Sequence, residues 1–155
     1  RSIGLKIFVP ETNPEEKIRH VTCHELVHAC SVHLRLPMWL NEGIAMLTVD
    51  RLLGLETIRR ETLELIRETL PKAAPPTYRE MSRMDGNAIA YQTARGYWLV
   101  RYLEEKQPGF WKDLFGHKIG RREIEKAVAQ KSGLKPESLW AEIDAVLLDG
   151  FGTTG

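Results

Sequence analysis

The stretch VTCHELVHAC, residues 21–30, places two histidines and a glutamate among residues that are otherwise apolar or small. Residues four apart in an α-helix lie on the same face, one turn above the other. If the stretch is helical, His24 and His28 therefore point the same way. Apolar residues fill most of the remaining helical wheel, so we expect this helix to be apolar nearly all round and buried.

Two buried imidazoles and a carboxylate need partners, because polar groups without them are costly in an apolar interior. A divalent zinc ion would resolve the conflict, since it accepts neutral imidazole nitrogens at about 2.0–2.1 Å. The H-E-x-x-H spacing of His24, Glu25 and His28 is the spacing that such a site requires. The alternative is a pair of core histidines whose nitrogens are satisfied by hydrogen bonds.

A second stretch, PMWLNEGIAML at residues 37–47, contains an acid in an otherwise apolar helical pattern. The apolar residues predict that this helix packs against the first, and Gly43 would let the two backbones approach closely. Glu42 would then supply a third metal ligand. Two histidines and one carboxylate leave the fourth tetrahedral position open for water, which is typical of a catalytic zinc.

HELVH followed by WLNEGIA resembles the gluzincin zinc metallopeptidases, in which a glutamate ligand follows the H-E-x-x-H motif on a later helix. The resemblance implies that His24, His28 and Glu42 bind Zn²⁺, and that Glu25 is the general base in the hydrolysis of a peptide or protein substrate. A non-catalytic zinc-binding module, acting as an interaction or regulatory domain, is the alternative. The intact Glu25 argues against that alternative, because a module without catalysis has no need of a base.

The resemblance also suggests an oxyanion donor, because gluzincins often take one from a tyrosine or histidine of a later helix. Tyr91 is the candidate: it lies in AYQTARGYWLVRYLEE, residues 90–105, among small alanines that leave room for its hydroxyl. Tyr97 and His117 are the next candidates. Tyr91 also fits a packed stripe of large side chains at helical spacing, and the sequence leaves this alternative open.

The sequence offers several groups that could orient the metal ligands. Some gluzincins place an acid four residues beyond the glutamate ligand, and this chain has Met46 there. Asp50, Asn41 or a backbone carbonyl could instead hydrogen-bond the second ring nitrogen of a histidine.

Around these motifs the sequence predicts a mostly α-helical α+β fold, a zincin-like metallopeptidase domain with a short N-terminal strand. IGLKIFV, residues 3–9, alternates in the manner of a strand. We expect one domain over residues 1–155, with the strand, the active-site helix and the glutamate helix in 1–50 and a helical part in 51–155. Periodicity, prolines and glycines predict helices at 14–34, 39–53, 55–70, 88–106, 110–118, 121–132 and 136–150.

Composition excludes several partners. Lys and Arg total 22 against 21 Asp and Glu, which leaves no broad basic field for a nucleic acid or an anionic membrane. No apolar run approaches the roughly 20 residues that span a bilayer. Cys23 and Cys30 would lie roughly 10 Å apart on one helix, too far for a disulfide. Unbridged thiols favour a reducing compartment, so we expect the cytoplasm.

Overall fold

The computed structural model describes residues 13–69 and 72–152, and within them the chain is mostly α-helical, as predicted. The predicted strand at residues 3–9 lies outside the described residues. No helix of the described ranges is both long and apolar enough to cross a membrane. The helices are α1 (Pro14–Ser31), α2 (Met38–Leu53), α3 (Thr62–Glu68), α4 (Tyr78–Met81), α5 (Gly86–Lys106), α6 (Phe110–Phe115), α7 (Arg121–Ser132) and α8 (Leu139–Gly152), with 3₁₀ turns at Val32–Leu34 and Pro136–Ser138.

The ends of the helices follow from local chemistry. The Asn13 side chain accepts a hydrogen bond of 3.0 Å from the Glu16 backbone N–H, and Pro14 occupies the first turn of α1. Gly54 ends α2 and Gly133 ends α7, each with a positive φ that favours glycine. Signals from a proline or a glycine are local in the sequence, which explains why the start of α1 and the ends of α2 and α7 could be predicted.

The predicted helix at residues 55–70 is wrong in its first half, because α3 begins only at Thr62. Asp50 accounts for the difference. Its Oδ1 accepts hydrogen bonds from the backbone N–H and the hydroxyl of Thr57, which is fully buried. These bonds hold the chain after Gly54 against α2 in a non-helical conformation.

The core forms where α2 and α5 cross, and α3 and α8 pack against α5. The two helices meet at glycines: a Cβ on Gly96 would lie 2.8 Å from the Trp39 carbonyl oxygen, and one on Gly43 would lie 2.7 Å from the Gly96 oxygen. The prediction that Gly43 serves the contact of α2 with the first helix is therefore wrong. Gly43 allows the close approach of α5 instead.

The prediction that the first helix is buried is also wrong. Ser31 is the only buried residue of α1, and Leu26 is 59% exposed. Cys23 is half-buried and Cys30 exposed, and both are free thiols. The reason is tertiary: among the described elements α1 packs mainly against α2, so one face of the helix is covered.

A buried ionic network connects α5 and α8 to the segment before α4. Arg95 and Asp144 are each 1% exposed, and 3.7 Å separates Arg95 Nη1 from Asp144 Oδ1. Arg95 Nη2 donates to the carbonyl of Ala73 at 2.6 Å, and Lys72 Nζ lies 3.1 Å from Asp144 Oδ2. The network therefore anchors the non-helical segment 72–77 to the core.

Candidate metal centre

The structure brings together His24, His28 and Glu42. The two Nε2 atoms are 3.0 Å apart, Glu42 Oε2 lies 3.3 Å from His24 Nε2, and Glu42 Oε1 lies 3.3 Å from His28 Nε2. Each residue offers one possible ligand atom, and these three atoms all lie within 4.8 Å of one another. Two imidazoles from one helix and a carboxylate from the next thus form a compact triangle.

The local fold brings the three residues into this arrangement. His24 and His28 stand one turn apart on α1, and the 3₁₀ turn Val32–Leu34 leads to Arg35, whose φ of 49° is in the left-handed region. The reversal at this point returns the chain as α2. Ser31 Oγ then lies 3.2 Å from Asn41 Oδ1 and 3.3 Å from the His28 carbonyl oxygen, and the hydrogen that it shares between them links the end of α1 to the first turns of α2.

The triangle fits a zinc ion with three protein ligands. Tetrahedral zinc with bonds of about 2.0–2.1 Å separates its ligand atoms by about 3.4 Å. The two Nε2 atoms are 3.0 Å apart, and each of them has its own Glu42 oxygen at 3.3 Å. Imidazole nitrogen and carboxylate oxygen are both ligands that zinc accepts. The side chains of His24, His28 and Glu42 are 19%, 20% and 29% exposed, so solvent still reaches the group. A fourth ligand such as water has access.

The electrostatics of the site favour an ionised Glu42. Partial burial opposes ionisation, but hydrogen bonds with His24 and Tyr78 and the electrostatic influence of the nearby His28 and His24 outweigh it, so the pKa of Glu42 is lowered. A carboxylate ligand must be deprotonated to bind a metal. Glu42 is therefore in the form that binds.

Tyr78, which the sequence analysis did not identify, also contacts the site. Its hydroxyl donates to Glu42 Oε1 at 2.5 Å and accepts a hydrogen bond from Asn41 Nδ2 at 2.8 Å. Burial of the hydroxyl, the hydrogen bond to Glu42 and the charges of Glu42 and Glu25 raise the pKa of Tyr78, while Asn41 lowers it less. The phenol is therefore protonated at neutral pH and serves as a donor.

A local signal for α4 was present in the sequence. The hydroxyl of Thr77 accepts from the backbone of Glu80, whose carboxylate accepts from the backbone of Thr77, a capping box that starts the helix at Tyr78. The T-x-x-E pattern of residues 77–80, which follows Pro75 and Pro76, could have identified this helix. It could not have shown that Tyr78 reaches an acid 36 residues earlier.

Glu25 stands beside the three ligand residues rather than among them. It is exposed on α1, and its charge is close enough to Tyr78 to raise the pKa of the phenol. The carboxylate is thus exposed on the helix that carries both histidines. This placement is compatible with the role that the family resemblance implies for it.

Tyr91 does not join the site. It is 3% exposed, and its hydroxyl donates to Asp144 Oδ2 at 2.5 Å in the core network. The prediction of an oxyanion donor at Tyr91 is therefore wrong, and the packed stripe, its alternative, is what the structure has. The next candidates do not join it either: the Tyr97 hydroxyl is buried and donates to Asp50 Oδ2, and His117 is an exposed residue after α6.

Of the groups considered for orienting the ligands, Asn41 comes closest to the site, because it contacts Tyr78. Asp50 is engaged by Thr57 and Tyr97. Nδ1 of His28 is buried without a hydrogen-bond partner in the described part of the chain.

His20, one turn before His24, lies outside the group, and its Nε2 is 3.2 Å from the Thr57 hydroxyl. Burial and the electrostatic influence of the nearby His24 lower the pKa of His20, and Asp50 partly offsets them. Neutral His20 thus helps to hold α1 against the segment after α2.

Comparison of the chain with protein-family models, with curated proteins and with solved structures found no match.

Proposed function

We propose that the protein is a zinc-dependent metallopeptidase in which His24, His28 and Glu42 hold one Zn²⁺ and Glu25 is the general base. The observation that carries the proposal is the convergence of two imidazole nitrogens and a carboxylate at 3.0–3.3 Å. The H-E-x-x-H spacing and the adjacent, exposed Glu25 support a catalytic role over a purely structural one.

When bound, zinc would activate a water molecule and polarise the carbonyl of the substrate. Glu25 would accept the proton of that water and return it to the nitrogen of the departing amine. Glu42 would contribute a negative charge and remain ionised. Tyr78 would keep its proton throughout, because its hydroxyl donates to Glu42. Peptide or protein is the proposed substrate.

Zinc analysis tests the metal assignment. Wild-type protein dialysed against zinc and then against metal-free buffer is expected to retain about one Zn²⁺ per chain. His28→Ala should lose the ion, because it removes one of three ligands. His33→Ala is the matched control, since His33 is an exposed histidine of the turn after α1. Equal zinc content in wild type and His28→Ala would exclude the proposed ligands.

Cleavage of a mixed-sequence peptide library by zinc-loaded protein tests catalysis, and Glu25→Gln is the control. The amide is nearly isosteric with the acid but cannot take up the proton, so the variant should bind zinc normally and lose activity by about 10²–10⁴-fold. Zinc binding with no cleavage by the wild type would instead support the non-catalytic module. Equal cleavage by wild type and Glu25→Gln would show that Glu25 is not the base.

A further inference from the structure

We propose that Tyr78 is a positioning residue that fixes the Glu42 carboxylate in the orientation required by the metal. This inference rests on the proposed zinc site. The contact is direct, since the Tyr78 hydroxyl oxygen lies 2.5 Å from Glu42 Oε1. Because Tyr78 acts on the ligand and makes no metal contact itself, its effect should be seen first in metal binding.

The number of available hydrogens determines which residue donates in the hydrogen bond between Tyr78 and Glu42. A phenol has one hydrogen to donate, and its oxygen can also accept. Asn41 Nδ2 donates to that oxygen at 2.8 Å, so the phenolic hydrogen is left for Glu42. Asn41 Oδ1 in turn lies 3.2 Å from the Ser31 hydroxyl, which divides its one hydrogen between that oxygen and the carbonyl oxygen of His28 at 3.3 Å. A relay from Ser31 through Asn41 and Tyr78 thus ends on the carboxylate.

The position of Tyr78 is fixed from the other side by the core. The segment 72–77 leads into α4, and Arg95 binds the carbonyl of Ala73 within it. The capping box of Thr77 and Glu80 then sets the first turn of the helix. The Tyr78 side chain is 52% exposed, so its ring contributes little to the core. The specific contacts of Tyr78 are therefore the hydrogen bonds of its hydroxyl.

The energetic reason for such a residue is preorganisation. A carboxylate without a partner rotates about its terminal bond, and binding a metal then includes the cost of fixing it. Partners that hydrogen-bond a metal ligand typically change metal affinity by about 10–100-fold. Tyr78 holds Oε1 before any ion arrives, which keeps the carboxylate facing both histidine nitrogens.

The test compares the zinc dissociation constants of wild type, Tyr78→Phe and Tyr102→Phe by competition with a chromophoric chelator. Tyr78→Phe should bind zinc about 10–100-fold more weakly. Tyr102→Phe should bind as wild type does, because the Tyr102 hydroxyl accepts from Lys106 on its own helix. The absorption spectrum of the Co²⁺-loaded protein should change in Tyr78→Phe alone, because the spectrum reports the ligand arrangement.

A double-mutant cycle with Asn41→Ala tests the relay. Asn41→Ala should weaken zinc binding, and the double variant with Tyr78→Phe should be no weaker than Tyr78→Phe, because Asn41 acts through Tyr78. Thermal unfolding checks that each variant folds.

The outcomes separate this inference from the metal site itself. A wild type that binds zinc, together with a folded Tyr78→Phe that binds it equally tightly, would overturn the positioning role and leave the site intact. Fully additive losses in the cycle would overturn the relay. A wild type that binds no zinc would overturn both proposals.

Discussion

Replacing Gly96 by alanine should push α2 away from α5 and destabilise the protein. The added Cβ would lie 2.8 Å from the Trp39 carbonyl oxygen, whereas ordinary contact begins at 3.4 Å. The helices would have to separate by about 0.6 Å, and both sides of the contact are backbone, which cannot rotate away. Such overpacking costs about 1–3 kcal/mol, and we take the upper value here. Alanine returns about 1 kcal/mol in helix propensity, which leaves about 2 kcal/mol net.

Urea unfolding followed by circular dichroism measures this change, and Gly86→Ala is the matched control. Gly86 opens the same helix, and its Cβ would meet nothing within 4 Å. Gly86→Ala should therefore leave the free energy of unfolding unchanged or raise it slightly. If Gly96→Ala is as stable as Gly86→Ala, the α2–α5 contact is not as close as the reasoning requires.

Two further predictions concern charged groups. Asp144→Asn should lower the free energy of unfolding by about 3–5 kcal/mol, because it leaves the buried Arg95 without its counter-charge. Urea unfolding measures this change. Glu142→Gln is the control: it alters an exposed residue of the same helix and should lower the free energy of unfolding by less than about 0.5 kcal/mol. Hydrogen bonds from the backbone and hydroxyl of Thr77 lower the pKa of Glu80 below its usual 4.5. Its contribution to stability is therefore complete above pH 4.5 and is lost as the pH falls through the lowered pKa. Glu80→Gln should show a smaller loss of stability below pH 4.5 than wild type does, and an identical acid profile would contradict the assigned cap.

Much of the helical architecture could be predicted because its signals are local. Pro14 and Gly133 mark a beginning and an end in the sequence, and the structure has them there. The pairing of His24 with His28 also needed only the helical repeat. To predict that Glu42 lies beside the histidines required a further assumption, namely that α2 folds back against α1. The short turn between two amphipathic stretches made that expectation reasonable.

The errors arise where a residue's partner lies far away in the chain. The periodicity of α5 placed Tyr91 on a stripe, but it could not reveal that Asp144, 53 residues later, binds the hydroxyl. Tyr78 was overlooked for the same reason. The exposure of α1 was misjudged because its composition reports how apolar the helix is and not how many elements pack against it. The segment around Thr57 shows a further limit. Its sequence has a good helical pattern, but the hydrogen bond from the Thr57 backbone N–H to the buried Asp50 carboxylate holds it in a non-helical conformation.

The exposed position of α1 has a consequence for how the molecule would respond to metal. Among the described elements this helix rests mainly on α2, so its detachment is a local opening that need not involve the core. An ion that joins His24 and His28 to Glu42 would link α1 to α2 and oppose that opening. The slowest-exchanging amides of α1 would then report metal occupancy, while those of α5 would report global unfolding.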